Sequence, residues 1–148
     1  FGRLARRFRQ ASFPIGANAI APLTYDQPGG GDDTLFDAQG RYLITIAGLY
    51  RVHAQWTIAH SGTDPATRFA VMITRNQQIE RFNVRTEPPL PLPTSGLPCA
   101  TFHADGVLVC DVGDLIAVNG GYSDRATDLA TNVGSGSMHS FLEVWRVS

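Results

Sequence analysis

After Gly48, from Tyr50 to Ile58, apolar and polar residues alternate without a break. Tyr50, Val52, Ala54, Trp56 and Ile58 fall on one side, and Arg51, His53, Gln55 and Thr57 on the other. A period of two over this length predicts a strand with one buried face and one polar face. Residues 42–46 predict a preceding strand, joined to the long one by an Ala47-Gly48 corner. Further strands are predicted over 17–23, over 68–74 with Phe69, Val71 and Ile73 on one face, and through Ile79, Phe82 and Val84 after a turn at Arg75-Asn76-Gln77-Gln78. The last third predicts strands over 107–112, 115–119 and 140–147, with a turn at Gly113-Asp114. The whole pattern is all-β: eight to ten short antiparallel strands in a single sandwich, barrel or jelly roll.

Two of these strands carry bulk on both faces. Phe141, Glu143 and Trp145 alternate with Leu142 and Val144, and Leu115 and Ala117 alternate with Ile116 and Val118. A strand with two apolar faces is expected to be buried twice, in the core and against a neighbour. Between the strands, Pro28-Gly29-Gly30-Gly31-Asp32-Asp33 reads as a flexible loop. Five prolines between Glu87 and Pro98 mark an extended surface crossover, because proline lacks the ladder donor. A Pro-rich ligand for a recognition domain is the other use of such a segment. Residues 123–137 are polar and turn-rich.

At 148 residues the chain suits one domain. It has no apolar run of about 18 residues, which argues against a membrane-spanning helix. It begins at Phe1, so processing or truncation is expected, and a leader or stalk ahead of that residue stays open. All twelve basic residues are Arg. Either a GC-rich coding bias or selection for forked, bidentate contacts accounts for that. The net charge of −1 conceals an asymmetry: Arg3, Arg6, Arg7 and Arg9 give the first ten residues +4, leaving −5 on the remainder. A basic tip on an acidic body predicts a tail that docks on an acidic surface, another copy of the chain included. Within that tip Phe1, Leu4, Ala5 and Phe8 have helical spacing. Residues 1–16 are therefore expected to form a basic amphipathic arm, either a short helix or a segment ordered on contact, ahead of a domain over 17–148. Its best use is packing on a neighbouring subunit or on its own body. Membrane-surface binding and nucleic acid are disfavoured by so small a footprint.

Candidate chemistry is sparse. His53, His60, His103 and His139 lack the paired spacing of a metal site, and no nucleophile elbow accompanies any Ser. The Gly-rich loop is followed by acids, with no Gly-Lys-Ser/Thr, so phosphate cradling is rejected. No catalytic residue, metal ligand or cofactor is predicted. Asp32-Asp33, Asp111/Asp114 and Asp124/Asp128 supply hard oxygen donors without a dense calcium-binding spacing. Asp114 reads more simply as a turn residue bonded to nearby backbone. If Asp105-Gly106 were a tight turn, Cys110 would face Thr101 and leave Cys99 two places out of register. Two free thiols are then favoured, with a single bridge through a slipped register as the alternative.

Phe36, Gly40-Arg41-Tyr42, Gly48-Leu49-Tyr50-Arg51-Val52, Arg75-Asn76, Gly106-Val107-Leu108, Val112-Gly113-Asp114-Leu115 and Ser140-Phe141 occur in that order over residues 34–147. In that order and spacing the chain resembles the globular heads of complement component one-q and the related tumour-necrosis-factor-like jelly rolls. Tyr42, Gly48, Tyr50, Trp56, Gly113, Asp114 and Phe141 are the motif and core positions. Glu143 stands where the family usually has Gly, Gln77 replaces the Gly of Asn-Gly, and the Pro-rich loop is long. The resemblance implies a compact jelly-roll homotrimer, with calcium an occasional extra. The expected role is structural, displayed on the surface of a larger assembly. A bacteriophage head-decoration, spike or fibre-head protein comes first, docked on a capsid protein through Phe1, Arg3, Leu4, Arg6, Arg7, Phe8 and Arg9. The alternative is an extracellular or bacterial-surface module that binds a receptor, peptide or glycan through its loops. An enzyme comes third.

Overall fold

The computed structural model describes residues 3–9, 13–15, 20–59, 67–87, 99–123, 129–131 and 140–148. In chain order the strands are β1 (Arg3–Phe8), β2 (Phe13–Ile15), β3 (Ile20–Pro22), β4 (Gln27–Gly31), β5 (Tyr42–Leu43), β6 (Gly48–Ala59), β7 (Thr67–Arg75), β8 (Gln78–Glu87), β9 (Cys99–Cys110), β10 (Leu115–Ser123), β11 (Leu129–Thr131) and β12 (Phe141–Arg146). Among the described residues the one helical element is the 3-10 turn Asp33–Leu35. In the larger sheet β9 pairs with one edge of β6 along all twelve residues. The other edge of β6 is shared by β12 and β11; β1 then adds to β12, β4 to β1, and β2 to β11. In the smaller sheet β10 pairs with β7, and β7 with β8, while β3 and β5 share the outer edge of β10.

The alternation of β6 decides the core. Tyr50, Val52, Ala54 and Trp56 are buried between the sheets, opposite Val71, Ile73, Ile116 and Val118 of the smaller sheet. Burying a polar group there requires a partner: the Trp56 indole N–H donates to the Tyr25 hydroxyl at 2.9 Å. The Tyr50 hydroxyl donates to the Ile46 carbonyl at 2.6 Å. Phe36 bridges to Tyr42 along the backbone, and their rings meet edge-on with centroids 5.1 Å apart.

Four features differ from the sequence reading, each for a physical reason. The basic segment is not helical: β1 lies inside the larger sheet, between β12 and β4. Helical spacing over so few residues is weak, and tertiary pairing overrides it. The Pro-Gly-Gly-Gly stretch is strand β4 rather than a loop, because β1 supplies its ladder. A Cβ at Gly29 would stand 2.8 Å from the Arg6 carbonyl oxygen, so glycine is what lets the two backbones approach. Asp105-Gly106 is not a turn, since both residues lie mid-strand in β9 opposite His53 and Val52. Cys99 and Cys110 are therefore at opposite ends of one strand, eleven steps of about 3.3 Å apart, and cannot bridge each other. Cys110 is buried and free, and burial, with Asp114 next in effect, pushes its thiol up to about 11. Finally, residues 42–46 do not pair throughout: β5 is two residues long, and the Ala47-Gly48 corner carries the chain from one sheet to the other.

Candidate functional site

Two surfaces on opposite sides of the sandwich combine apolar area with polar groups. The first is the outer face of the larger sheet. Leu49, Arg51, His53 and Gln55 of β6 point outward beside Val109, Val107, Asp105 and His103 of β9, with which they pair in that order. Phe141, Glu143 and Trp145 of β12 flank them on the other side. Val107 and Val109 are 49% and 67% exposed, and Leu49 36%. Val147, 47% exposed, extends the patch through its backbone bond to Leu49.

Beside this apolar end sit two ion pairs. Arg51 Nη2 is 2.8 Å from Asp105 Oδ2, and the same guanidinium lies over the Trp145 ring at 5.8 Å. Arg6 Nε is 3.1 Å from Glu143 Oε1, with its guanidinium 4.6 Å from the Phe141 ring centroid. Glu143 is thus the carboxylate that receives the basic segment. His53 stands between the pairs, stacked on His103 at 5.8 Å and edge-on to Phe141 at 5.2 Å. Burial holds the His53 imidazole below its ordinary value; Asp105 and Glu143 pull upward, His103 and Arg51 downward.

Arg7 and Arg9 of the basic segment also turn inward. Arg7 Nη2 is 3.8 Å from Asp33 Oδ2 and Arg9 Nε 3.8 Å from Asp26 Oδ2. The guanidinium of Arg7 stacks over Phe36 at 5.3 Å. The acidic surface that the basic tip meets is therefore on its own body. Phe1 and the side chains of Arg3 and Leu4 lie outside the described residues, as do His60, His139, Asp124, Asp128 and the Pro-rich stretch 88–98.

The second surface is a cleft of about 580 Å³ on the outer face of the smaller sheet. Thr74, Leu115, Ala117 and Asn119 form its floor; Pro22, Gln39 and Arg41 wall one side, and Asn76 and Gln77 the other. Leu115 and Ala117, read as one face of a doubly buried strand, line this cleft instead. Arg41 is held by Asp37, Nε to Oδ2 at 2.6 Å, so the wall is close to neutral. The volume falls in the range of small-molecule sites.

A bracket between these surfaces fixes the turns. Gly113 has φ +94° in the turn before β10. Asp114 accepts from the Asp111 N–H at 2.9 Å and from Asn76 Nδ2 at 2.6 Å. Asn76 Oδ1 accepts in turn from the Leu115 N–H at 2.9 Å. This requires Asn76 and Gln77 at φ 50° and 69°, the mirror-image turn that closes tight hairpins. Among the described residues no three His, Cys, Asp or Glu side chains come together as a metal group. Sequence reasoning missed His103 and Asp105 as neighbours of His53 and Val109 as the partner of Leu49, although residues 100–105 do alternate; the Asp-Gly pair masked the strand.

No protein-family profile matches the sequence, and no curated protein does. Solved structures do. The chain superimposes on Eiger TNF from S. frugiperda with a TM-score of 0.67 at 14% identity, covering 99% of this chain and 93% of that one. Murine APRIL gives 0.67 at 15% identity, with 98% of each chain covered. The globular domain of the zebrafish complement 1qA protein gives 0.64 at 9% identity, covering 99% and 98%. The fold of this chain is thus an all-β jelly roll of the kind shared by tumour-necrosis-factor and complement-head domains.

Proposed function

We propose that the chain is a non-enzymatic surface module that works as a homotrimer, with the outer face of its larger sheet as the contact between copies. The observation that carries this is the open row of Leu49, Val107 and Val109, continuous with the half-buried Trp145. Exposed apolar area of this kind marks an association face, and closed homo-oligomers are the usual way to cover it. The family resemblance implies the trimeric order.

Display on a larger particle, a bacteriophage first, is the setting supported by the Arg-only composition. Docking would then fall to Phe1, Arg3 and Leu4, because Arg6, Arg7 and Arg9 are engaged within the chain. A second reading, an extracellular recognition module, is favoured by the cleft on the smaller sheet, which lies on the other side of the sandwich and stays open in such an assembly.

Light scattering at pH 7.5 tests the association. The expected mass is three times 16.0 kDa. Val109→Glu should yield a folded monomer, whereas Ile79→Glu, at a 58% exposed site on β8, should leave the mass unchanged. A monomeric parent, or equal effects of both changes, would reject this reading.

A further inference from the structure

We propose that the cleft on the outer face of the smaller sheet binds a neutral saccharide, an inference that rests on the reading of that cleft as a recognition site.

Uncompensated charge is what the cleft lacks. Among the described residues Arg41 is the one charged side chain that lines it, and Asp37 neutralises it. Arg41 Nε lies 2.6 Å from Asp37 Oδ2, while Oδ1 accepts from the Gln39 and Arg41 N–H groups, each at 2.9 Å. A phosphate, an acidic sugar or an ammonium group would be desolvated there without a matching counter-charge. What the cleft offers is apolar surface beside groups that both donate and accept. Leu115, Ala117 and the Pro22 ring supply the apolar part. Asn76 is a fixed wall, since both ends of its carboxamide are committed, to Asp114 and to the Leu115 N–H. The carboxamides of Gln77 and Asn119 are uncommitted among the described residues. On the floor Thr74 is 2% exposed, and its hydroxyl has a contact of 3.5 Å to the Ala117 carbonyl, at the limit of hydrogen-bond length. A buried hydroxyl so poorly satisfied calls for a further partner. Sugar hydroxyls donate and accept at once, as carboxamides and the Thr hydroxyl do. A pyranose ring also presents a C–H face to apolar surface.

A peptide is the other neutral ligand with paired donors and acceptors. It is recognised through a free strand edge or a row of side-chain pockets. Both edges of β10 are taken, by β7 on one side and by β3 and β5 on the other, and β8 covers β7. The floor is therefore closed to strand addition. Its fixed walls favour a small rigid ring, which loses little freedom on binding.

The experiment is saturation-transfer NMR on the full chain with the methyl pyranosides of glucose, galactose, mannose and N-acetylglucosamine. Each is present at about 5 mM, enough to populate a millimolar site. N-acetylneuraminic acid and a doubly blocked alanine dipeptide are the acidic and peptide comparisons. The expected result is transfer to at least one pyranoside, and less to the acidic sugar. Ala117→Phe fills the floor and should abolish transfer. Gln77→Gly with Asn119→Ala should weaken binding about tenfold, as two lost hydrogen bonds predict. Gln77 has φ 69°, which glycine adopts freely, so this variant keeps the turn even where Ala117→Phe misfolds. Transfer to a pyranoside that is unchanged in the Gln77/Asn119 variant would overturn the site. Cleft-dependent transfer to the dipeptide alone would overturn the saccharide and leave the recognition reading standing. Silence of every probe would overturn both.

Discussion

Tyr25 and Trp56 form a buried polar contact in an otherwise apolar core, and each needs the other. Burial, only partly offset by the indole, raises the Tyr25 hydroxyl far above its ordinary value, so it stays protonated. Tyr25→Phe leaves the indole N–H without its partner, at an expected cost of about 1–3 kcal/mol, read as a lower urea midpoint at unchanged slope. Gly48 is constrained differently. Its φ is +156°, and a Cβ there would collide with the backbone oxygen of Ser148. The strand opens at this residue because nothing larger lets the C-terminus lie alongside it. Gly48→Ala should therefore destabilise by more than about 1 kcal/mol, whereas Gly113→Ala, with open space around it, carries only the strain of its positive φ. Thermal unfolding of the two variants side by side separates collision from strain.

Among the described residues β9 pairs only with β6, and none of them forms a strand on its far edge. Two arginines cap that edge: Arg75 Nη1 donates to the Val109 carbonyl at 2.8 Å and Arg81 Nη2 to the Val107 carbonyl at 3.3 Å. Arg75 is itself braced by Glu80, Nε to Oε1 at 2.8 Å. Gly106 makes the arrangement possible, since a Cβ there would stand 2.5 Å from Arg81 Cγ. Unprotected edges recruit other chains. Arg75→Ala with Arg81→Ala should aggregate faster by light scattering at 37 °C, and with little change in unfolding midpoint, because exposed contacts of this kind contribute little to stability. The turn bracket next to β9 has its own pH signature. For Asp114, burial pushes upward but is outweighed by the bonds from Asp111 and Asn76 and by Arg75, so its pKa is depressed. A depressed carboxylate gives stability that is complete above the unfolded value of about 3.9 and is lost as pH falls through the folded one. The midpoint difference between the parent and Asp114→Asn should therefore shrink as pH falls from about 5 to 3. Strands such as β6, β7 and β12 were legible because one face is buried and the period of two survives. β1 and β4 were not, since β1 exists through β12 and β4, and β4 through β1: an Arg-rich segment and a glycine run carry no strand pattern until they pair. The same holds for the histidine face, where β6 was readable and β9 was broken by an Asp-Gly pair that behaves as a strand once a full-length partner is beside it.

For the molecule as a whole, the placement of the basic segment decides what can be removed. Arg6, Arg7 and Arg9 lead the chain back across its own acidic surface, to Glu143, Asp33 and Asp26. β1 joins β12 to β4, so the +4 tip and the −5 remainder neutralise each other largely within one copy. Ala5, fully buried, belongs to the same core as Val52 and Leu142. A free arm could be cut without harm to the fold, with only attachment to a partner lost. A strand between two others cannot, because its loss leaves β4 without a ladder and β12 with an open edge. Glu143 would then be left without Arg6, and losing one partner of a half-buried ion pair is destabilising. Deleting residues 1–10 should therefore lower the thermal midpoint by about 10 °C or more, on the order of 3 kcal/mol or more for a chain of this size, and should weaken the proposed trimer because its contact face is distorted. Unchanged stability with intact trimers in the truncated chain would return the segment to the role of a detachable arm.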